Sequence, residues 1–319
     1  LFYSKLNMLM NKAKFLLLFT LMQINNLNSQ LAIGESKEFF LEHNAYDRKV
    51  QIYYPFGNEI NDQTKFIIMN DAEELFLEED TWRGKSWRID KTFKDLANEG
   101  KILNVVIIAV NSAKKPGKIL NSTRRYADYF PNESISYFDD SLKKDIYSSF
   151  IDKEELNYPK FLAESLIPEL ENRLAVNLNK SNLGVIGSSM GGLSALNTIL
   201  EYPELFGFAG CLSTHWIGIK PFEYITLPFR KRISPDEDTV KAIETYVRNN
   251  INKLNDHKVY FDHGTRGLDY LYRQPQININ KVFDENKISF KSEVFKGHEH
   301  DPVFFGSRFK SILLYLLEN

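Results

Sequence analysis

A Gly-x-Ser-x-Gly sequence constrains the fold of this 319-residue chain more than any other feature. It spans residues 187–191, with Ser189 at its centre, and follows an apolar stretch that has the pattern of a buried strand. A helical pattern follows it. A serine between two glycines at such a turn is typical of a nucleophile elbow, which exposes the hydroxyl at the edge of a sheet. The alternative is an ordinary Gly/Ser turn, but the flanking strand and helix patterns favour the elbow.

Strand and helix patterns alternate along the chain from residue 65 onward, and this order predicts a mostly parallel sheet flanked by helices. Residues 65–71 and 103–110 are nearly continuous apolar runs, as in strands buried on both faces. Residues 111–150 are polar and aromatic without clear periodicity, so we predict a long loop or a set of short turns over one face there. No long helical insertion interrupts the alternation after the elbow. We therefore expect one catalytic domain over residues 31–319, without a large cap.

The first thirty residues differ from the rest of the chain. Lys12 and Lys14 precede an apolar stretch at residues 15–22, which is too short to span a bilayer. A basic segment followed by a short apolar one is typical of a secretory signal peptide. We predict a signal peptide over residues 1–30, with an upstream extension before Met10 left open, and a secreted or periplasmic location. The alternative is a buried amphipathic helix.

Composition argues against several classes of partner. A formal net charge of -2 gives no electrostatic basis for binding nucleic acid or an anionic membrane. The single cysteine, Cys211, forms neither an internal disulfide nor a cysteine-built metal cluster. We therefore expect no metal, no cofactor and no nucleic-acid partner.

A serine nucleophile needs a histidine base, and the histidine needs a carboxylate that orients it. His298 and His300 both lie between the last predicted strand and the closing helix, where the base is expected. Spacing alone does not separate them. Together with Asp301 they also form a His-x-His-Asp sequence, but no other cluster supplies further ligands for a metal.

The carboxylate is expected after the preceding strand, where Asp262 and Asp269 are the two candidates. Asp262 comes before a turn, whereas Asp269 follows it on a loop, which is the usual place for this acid. The oxyanion of a tetrahedral intermediate also needs N–H donors. Met190 is expected to supply one donor and residues 71–76 the other.

These segments resemble the esterase-D-like putative esterases of the α/β-hydrolase superfamily, which include feruloyl and enterochelin esterases. Residues 70–76 resemble the family's His-Asp-Gly-Gln-Asn-Leu-Phe, and residues 125–131 resemble Arg-x-x-Glu-Tyr-x-Pro. Residues 187–192 match the nucleophile motif, and residues 297–305 resemble Gly-x-x-His-Asn/Asp followed by an aromatic residue. The resemblance covers most of the chain and implies an α/β-hydrolase fold.

The resemblance also selects among the candidates. Its Gly-x-x-His spacing favours His300, and the Gly-Thr turn at residues 264–265 favours Asp269, which completes a Ser189, Asp269 and His300 triad. Its oxyanion loop implies that Glu73 supplies the second donor. Side chains that we expect near the substrate are Asp71, Arg125, His215 and Trp216.

This sequence departs from the family pattern in the oxyanion loop. Ala72 replaces a glycine, Asn70 replaces the histidine, and Glu73 replaces a glutamine. Arg266 stands where many relatives carry an acid. Backbone donors survive changes of side chain, so the departures are compatible with activity.

The sequence therefore predicts a serine hydrolase that cleaves small-molecule or carbohydrate-linked carboxylic esters through an acyl-enzyme. One alternative is acyl transfer to a sugar or alcohol by the same triad. Another is a non-catalytic binding protein on the hydrolase scaffold, which the altered residues 70–74 motivate. The complete triad argues against that last alternative.

Overall fold

The computed structural model of the chain describes residues 30–44, 46–57, 59–81, 84–115, 120–220, 223 and 234–317. The predicted signal peptide at residues 1–30 lies outside the described residues, apart from Gln30.

One eight-stranded sheet forms the centre of the described chain. Its strands are β1 (Glu35–His43), β2 (Tyr46–Tyr54), β3 (Lys65–Asn70), β4 (Val105–Val110), β5 (Leu183–Ser188), β6 (Phe208–Leu212), β7 (Lys258–Gly264) and β8 (Phe290–Phe295). Their order across the sheet is β1-β2-β4-β3-β5-β6-β7-β8. The pairs β1–β2 and β2–β4 are antiparallel, and the remaining pairs are parallel. The predicted α/β class with a mostly parallel sheet is therefore confirmed.

Helices connect the parallel strands, because a parallel pair needs a crossover connection. They are α1 (Ile89–Asn98), α2 (Asn121–Tyr129), α3 (Ser141–Glu154), α4 (Tyr158–Phe161), α5 (Ile167–Leu174), α6 (Met190–Glu201), α7 (Glu237–Asn250), α8 (Asp269–Glu285) and α9 (Pro302–Leu317). Buried apolar side chains form two clusters, and the larger one includes much of α6 while the smaller one includes α1 and α9. The described residues contain no separate cap domain, as expected.

The two apolar runs before the elbow form the predicted strands. Residues 65–71 contain β3 and residues 103–110 contain β4, each strand being one or two residues shorter than predicted. Every residue of β4 is buried, and only the first residue of β3 is not. Both strands lie in the interior of the sheet, β3 between β4 and β5 and β4 between β2 and β3, so their uniform apolar character reflects burial on both faces.

The prediction of a long loop or a set of short turns for residues 111–150 is wrong, because this segment contains α2, a 3-10 turn at Asn132–Tyr137 and most of α3. Helix α2 has no simple apolar periodicity because its buried residues include Arg124 and Asp128. The Asp128 carboxylate pairs with the guanidinium of Arg48 on β2 at 2.9 Å, and both side chains are almost completely buried. A buried ion pair thus anchors this helix. The apolar periodicity by which a helix is recognised in a sequence is therefore missing.

Replacing Asp128 with alanine should lower the free energy of unfolding by about 3–5 kcal/mol, because Arg48 would stay buried without its partner. Asp139→Ala is the matched control, since it removes an ion pair with Lys241 whose side chains are 72% and 67% exposed. An exposed pair contributes at most about 1 kcal/mol. Urea denaturation measures both variants, and equal losses would contradict an anchoring role for the buried pair.

Candidate active site

Ser189 lies at a sharp turn between β5 and α6. Its backbone has φ 56° and ψ −123°, a conformation that a residue with a side chain rarely adopts. The Ser189 N–H donates to the Leu212 carbonyl at 2.9 Å, and the Ser189 carbonyl accepts from the His215 N–H at 3.1 Å. The end of β6 and the loop after it therefore hold the turn in its strained form.

Close backbone approach explains the two glycines of the motif. A Cβ atom on Gly187 would lie 2.4 Å from the carbonyl oxygen of Gly191. A Cβ atom on Gly191 would lie 2.8 Å from the carboxylate of Asp71. Either side chain would push the turn away from β5 or from the loop after β3, so both positions need glycine.

His300 and Asp269 form a hydrogen-bonded pair, with 2.7 Å between His300 Nδ1 and Asp269 Oδ1. Asp269 is completely buried, and its Oδ2 accepts from the Gly264 N–H and the Ser213 hydroxyl, each at 2.7 Å. Burial raises the pKa of Asp269, but the opposing hydrogen bonds and the charge of His300 bring it below its usual value. An ionised Asp269 accepts a hydrogen bond from the His300 Nδ1–H. His300 Nε2 then carries no proton and can accept one.

The alternative acid and the alternative histidine both contact Arg308 on α9, which sequence analysis missed. Arg308 Nη1 donates to Asp262 Oδ1 at 2.8 Å, and Nε donates to His298 Nδ1 at 3.2 Å. Burial raises the pKa of Asp262 to about 6, although Arg308 opposes this, and burial lowers the pKa of His298. The structure thus brings Asp269 to His300 and directs Asp262 to Arg308.

Tyr272, which sequence analysis also missed, lies between Ser189 and His300. Its buried hydroxyl is 2.9 Å from His215 Nδ1, and the nearby Ser189 hydroxyl opposes the rise that burial causes in the pKa of Tyr272. His215 Nε2 faces the carbonyl of Gly218 at 3.2 Å, so the His215 proton is on Nε2. The Tyr272 hydroxyl therefore donates to His215 Nδ1.

Tyr272 lies between Ser189 and His300, which form no direct hydrogen bond with each other. The Tyr272 and His300 rings meet edge to face, with centroids 5.5 Å apart. Burial lowers the pKa of His215 to about 3, and the nearby His300 acts in the same direction, so His215 is neutral at physiological pH. No hydrogen bond joins Ser189 to His300 in the described part of the chain, and such contacts are often loose before substrate binds.

The predicted oxyanion donors are both early N–H groups of helical turns. Met190 begins α6, and Glu73 lies within the 3-10 turn Ala72–Glu74, so neither N–H has an acceptor inside its own turn. The Glu73 carboxylate accepts from the Ser112 hydroxyl at 2.5 Å and from Lys114. Burial raises the pKa of Glu73, but Lys114 and these hydrogen bonds bring it below its usual value.

The four side chains expected near the substrate are mostly engaged with other protein groups. Arg125 Nε and Nη2 bind the two Asp71 carboxylate oxygens at 2.5 and 2.6 Å, which ties the loop after β3 to α2. Trp216 is buried, and its indole N–H donates to Gln276 at 2.9 Å. His215 is buried against Tyr272. Of these side chains, Arg125 is the most exposed, at 29%.

Two further features of the described residues bear on function. They contain no group of three or more His, Cys, Asp or Glu side chains arranged to hold a metal ion. Their helices include none with the length and apolar character needed to cross a membrane.

A strained serine at the end of a central parallel strand, close to a histidine–carboxylate pair from later strands, defines the site of an α/β-hydrolase. The chain belongs to the family described as "Putative esterase", whose sequence model matches residues 44–311. It is thus a carboxylic ester hydrolase, as the resemblance implied. None of the curated proteins matches the sequence.

Solved structures share this fold at low sequence identity. A ferulic acid esterase is 14% identical with a TM-score of 0.61, over 89% of this chain and 98% of that chain. An enterobactin and salmochelin hydrolase is 14% identical with a TM-score of 0.58, over 90% and 96%. A mutant of the feruloyl esterase module from Clostridium thermocellum, complexed with sinapinate, is 16% identical with a TM-score of 0.53, over 92% and 91%.

Replacing Tyr272 with phenylalanine should lower the free energy of unfolding by about 1–3 kcal/mol, because buried His215 Nδ1 would lose its donor. Tyr270→Phe is the matched control on the same helix, since the Tyr270 side chain is 63% exposed and should lose almost nothing. Urea denaturation at pH 7 gives both values. A Tyr272→Phe protein as stable as Tyr270→Phe would contradict the assigned hydrogen bond.

Proposed function

We propose that the chain hydrolyses carboxylic esters through an acyl-enzyme, with Ser189 as nucleophile, His300 as general base and Asp269 as the orienting carboxylate. The observation that carries this proposal is the His300–Asp269 hydrogen bond of 2.7 Å beside the strained Ser189 turn. A carboxylate at Nδ1 leaves Nε2 unprotonated, and this is the tautomer that a general base requires.

In the proposed first step, Ser189 Oγ attacks the ester carbonyl carbon and its proton moves to His300 Nε2. The tetrahedral intermediate collapses, the alkoxide leaves with the proton from His300, and the acyl group stays on Ser189. Water then attacks the acyl carbon while His300 takes its proton; the bond to Ser189 Oγ breaks, the carboxylic acid leaves, and His300 returns the proton to Ser189.

The N–H groups of Met190 and Glu73 are proposed to stabilise the oxyanion. Met190 is at the start of α6, where N–H groups lack intrahelical acceptors and the helix dipole favours negative charge. Glu73 follows Asp71 in the loop after β3, and Ser112 and Lys114 hold its carboxylate.

The proposed substrates are small-molecule or carbohydrate-linked esters. A feruloyl ester and enterobactin belong in the first substrate panel, because the titles of similar structures name a ferulic acid esterase and an enterobactin hydrolase. Acyl transfer would use the same Ser189, His300 and Asp269, and added alcohols or sugars would reveal it as a second product. A non-catalytic binding protein would show no turnover of any ester.

Ser189→Ala and His300→Ala should each lower kcat by about four to six orders of magnitude, because triad members act as a unit. The double variant should be little worse than either single variant for the same reason. Ser188→Ala is the matched control, since Ser188 ends β5 outside the proposed triad. Hydrolysis of p-nitrophenyl acetate measures all four, and an active Ser189→Ala with an inactive Ser188→Ala would refute the proposal.

Asp269→Asn should lower kcat by about four orders of magnitude, because an amide at this position favours the wrong His300 tautomer. Asp262→Asn should cost far less, since Asp262 contacts Arg308 rather than His300. The same ester assay compares the two amides at pH 8. The reverse order of losses would make Asp262 the orienting acid.

We also propose that the protein is exported and that its signal peptide is cleaved next to Gln30, on one side or the other. Expression in a bacterium should yield material in the periplasm or medium whose first residue is Gln30 or Leu31, as the basic and then apolar segment before them predicts. Substituting Lys12 and Lys14 with glutamate should retain the protein in the cytoplasm. N-terminal sequencing checks the cleavage, and exported protein that still carries Met10 would contradict it.

A further inference from the structure

Arg308 on α9 is completely buried and makes polar contacts with four different residues. Its Nη1 donates to Ser213 Oγ at 2.9 Å and to Asp262 Oδ1 at 2.8 Å, and its Nε donates to His298 Nδ1 at 3.2 Å. Its Nη2 is 3.5 Å from Asp269 Oδ2. A buried guanidinium needs such partners, because an unpaired charge in the interior is costly.

The Arg308 contacts converge on one oxygen of Asp269. The Ser213 hydroxyl oxygen accepts a hydrogen bond from Arg308. Its own proton is therefore donated to Asp269 Oδ2, at 2.7 Å. The Gly264 N–H donates to the same oxygen at 2.7 Å. With Oδ2 held in this way, Oδ1 is the oxygen directed at His300.

Asp262 offsets the positive charge of Arg308, so that the buried group keeps the single negative charge of Asp269. Asp262 and Asp269 are both completely buried, and Arg308 is the cation that contacts both carboxylates. Asp262 Oδ2 has no hydrogen-bond partner. The Asp262 carboxylate is therefore stabilised through Oδ1, which accepts from Arg308 and from the Ser213 N–H. The other titratable neighbours of Arg308 and Asp262 are His298, Tyr260 and Cys211.

We propose that Arg308 is a positioning residue of the ester-hydrolysing site, which fixes the Asp269 carboxylate toward His300 while Asp262 balances its charge. This inference rests on the proposed function, because it assigns a consequence for the base His300. Arg308 and Asp262 act through Asp269 and touch no reacting atom.

The charge and the geometry of Arg308 have separable effects. A negative charge at Asp262 favours the protonated form of His300, and a positive charge at Arg308 disfavours it. The other titratable groups close to His300 are Asp269, Tyr272 and His215, together with its chain neighbours Glu299 and Asp301, the latter paired with Lys85. The protonation midpoint of His300 is the pH at which half of its rings are protonated. Removing the charge of Asp262 should lower this midpoint. Replacing the planar guanidinium of Arg308 by another cation should leave it unchanged.

Three variants test this. Asp262→Asn removes the balancing anion and should lower the His300 midpoint by roughly 0.5–1 pH unit. Arg308→Lys keeps the charge but loses the planar fork, and should lower kcat about tenfold with little change in KM or midpoint. The double variant Arg308→Met with Asp262→Asn removes both charges, which avoids a buried unpaired ion. It should return the midpoint toward the wild-type value while kcat stays low.

The midpoint is measured in two ways on the full chain. One is the pH dependence of kcat/KM for p-nitrophenyl acetate, and the other is an NMR titration of the His300 ring, assigned by comparison with His300→Gln. Arg48→Lys is the matched control, since Arg48 is a buried arginine paired with Asp128 away from this group. It should reduce stability without moving the His300 midpoint.

The proposal is overturned if Asp262→Asn leaves the NMR midpoint of His300 unchanged, or if Arg308→Lys has the kcat of the wild type. Equal midpoint shifts in Arg48→Lys and Asp262→Asn would also overturn it. The NMR titration needs no turnover. If Asp262→Asn shifts the His300 midpoint but Ser189→Ala remains fully active, the proposed function is refuted. The effect of Arg308 and Asp262 on His300 would still stand.

Discussion

A carboxylate that is completely buried, as Asp269 is, costs several kcal/mol unless hydrogen bonds and opposite charge offset the loss of water. In this chain the offset comes from His300 on one oxygen and from Ser213, Gly264 and the more distant Arg308 on the other. The residues come from four separate segments after the elbow. Folding of β6, β7, α8 and α9 against each other is thus what makes an ionised Asp269 possible.

The site also depends on strain that the sheet supports. Ser189 keeps a positive φ because β6 and the following loop hold both its N–H and its carbonyl. Asp71 has a φ of 60° at the start of the opposite loop, where Arg125 binds both of its carboxylate oxygens. Strained residues persist where surrounding structure over-determines them, and here both border the place where the reacting carbonyl would lie.

Local motifs predicted much of this arrangement, whereas contacts between distant residues could not be predicted. The apolar runs of β3 and β4 and the Gly-x-Ser-x-Gly turn are local patterns, and each led to the correct element. Arg308 and Ser213 are 95 residues apart, and Tyr272 and His215 are 57 apart. Helix α2 was missed for a related reason, since Asp128 is buried by pairing with Arg48, 80 residues away. The catalytic roles of Ser189, His300 and Asp269 stay predictions.

The central claim is that Ser189 is the nucleophile and that His300 activates it. Covalent labelling by a fluorophosphonate tests this most directly, because the reagent reacts with an activated serine and its mass can be located by peptide mapping. The account predicts one adduct per chain, on Ser189, with a labelling rate that falls sharply in His300→Ala. An adduct on another residue, or a labelling rate that is the same in His300→Ala as in the wild type, would contradict it.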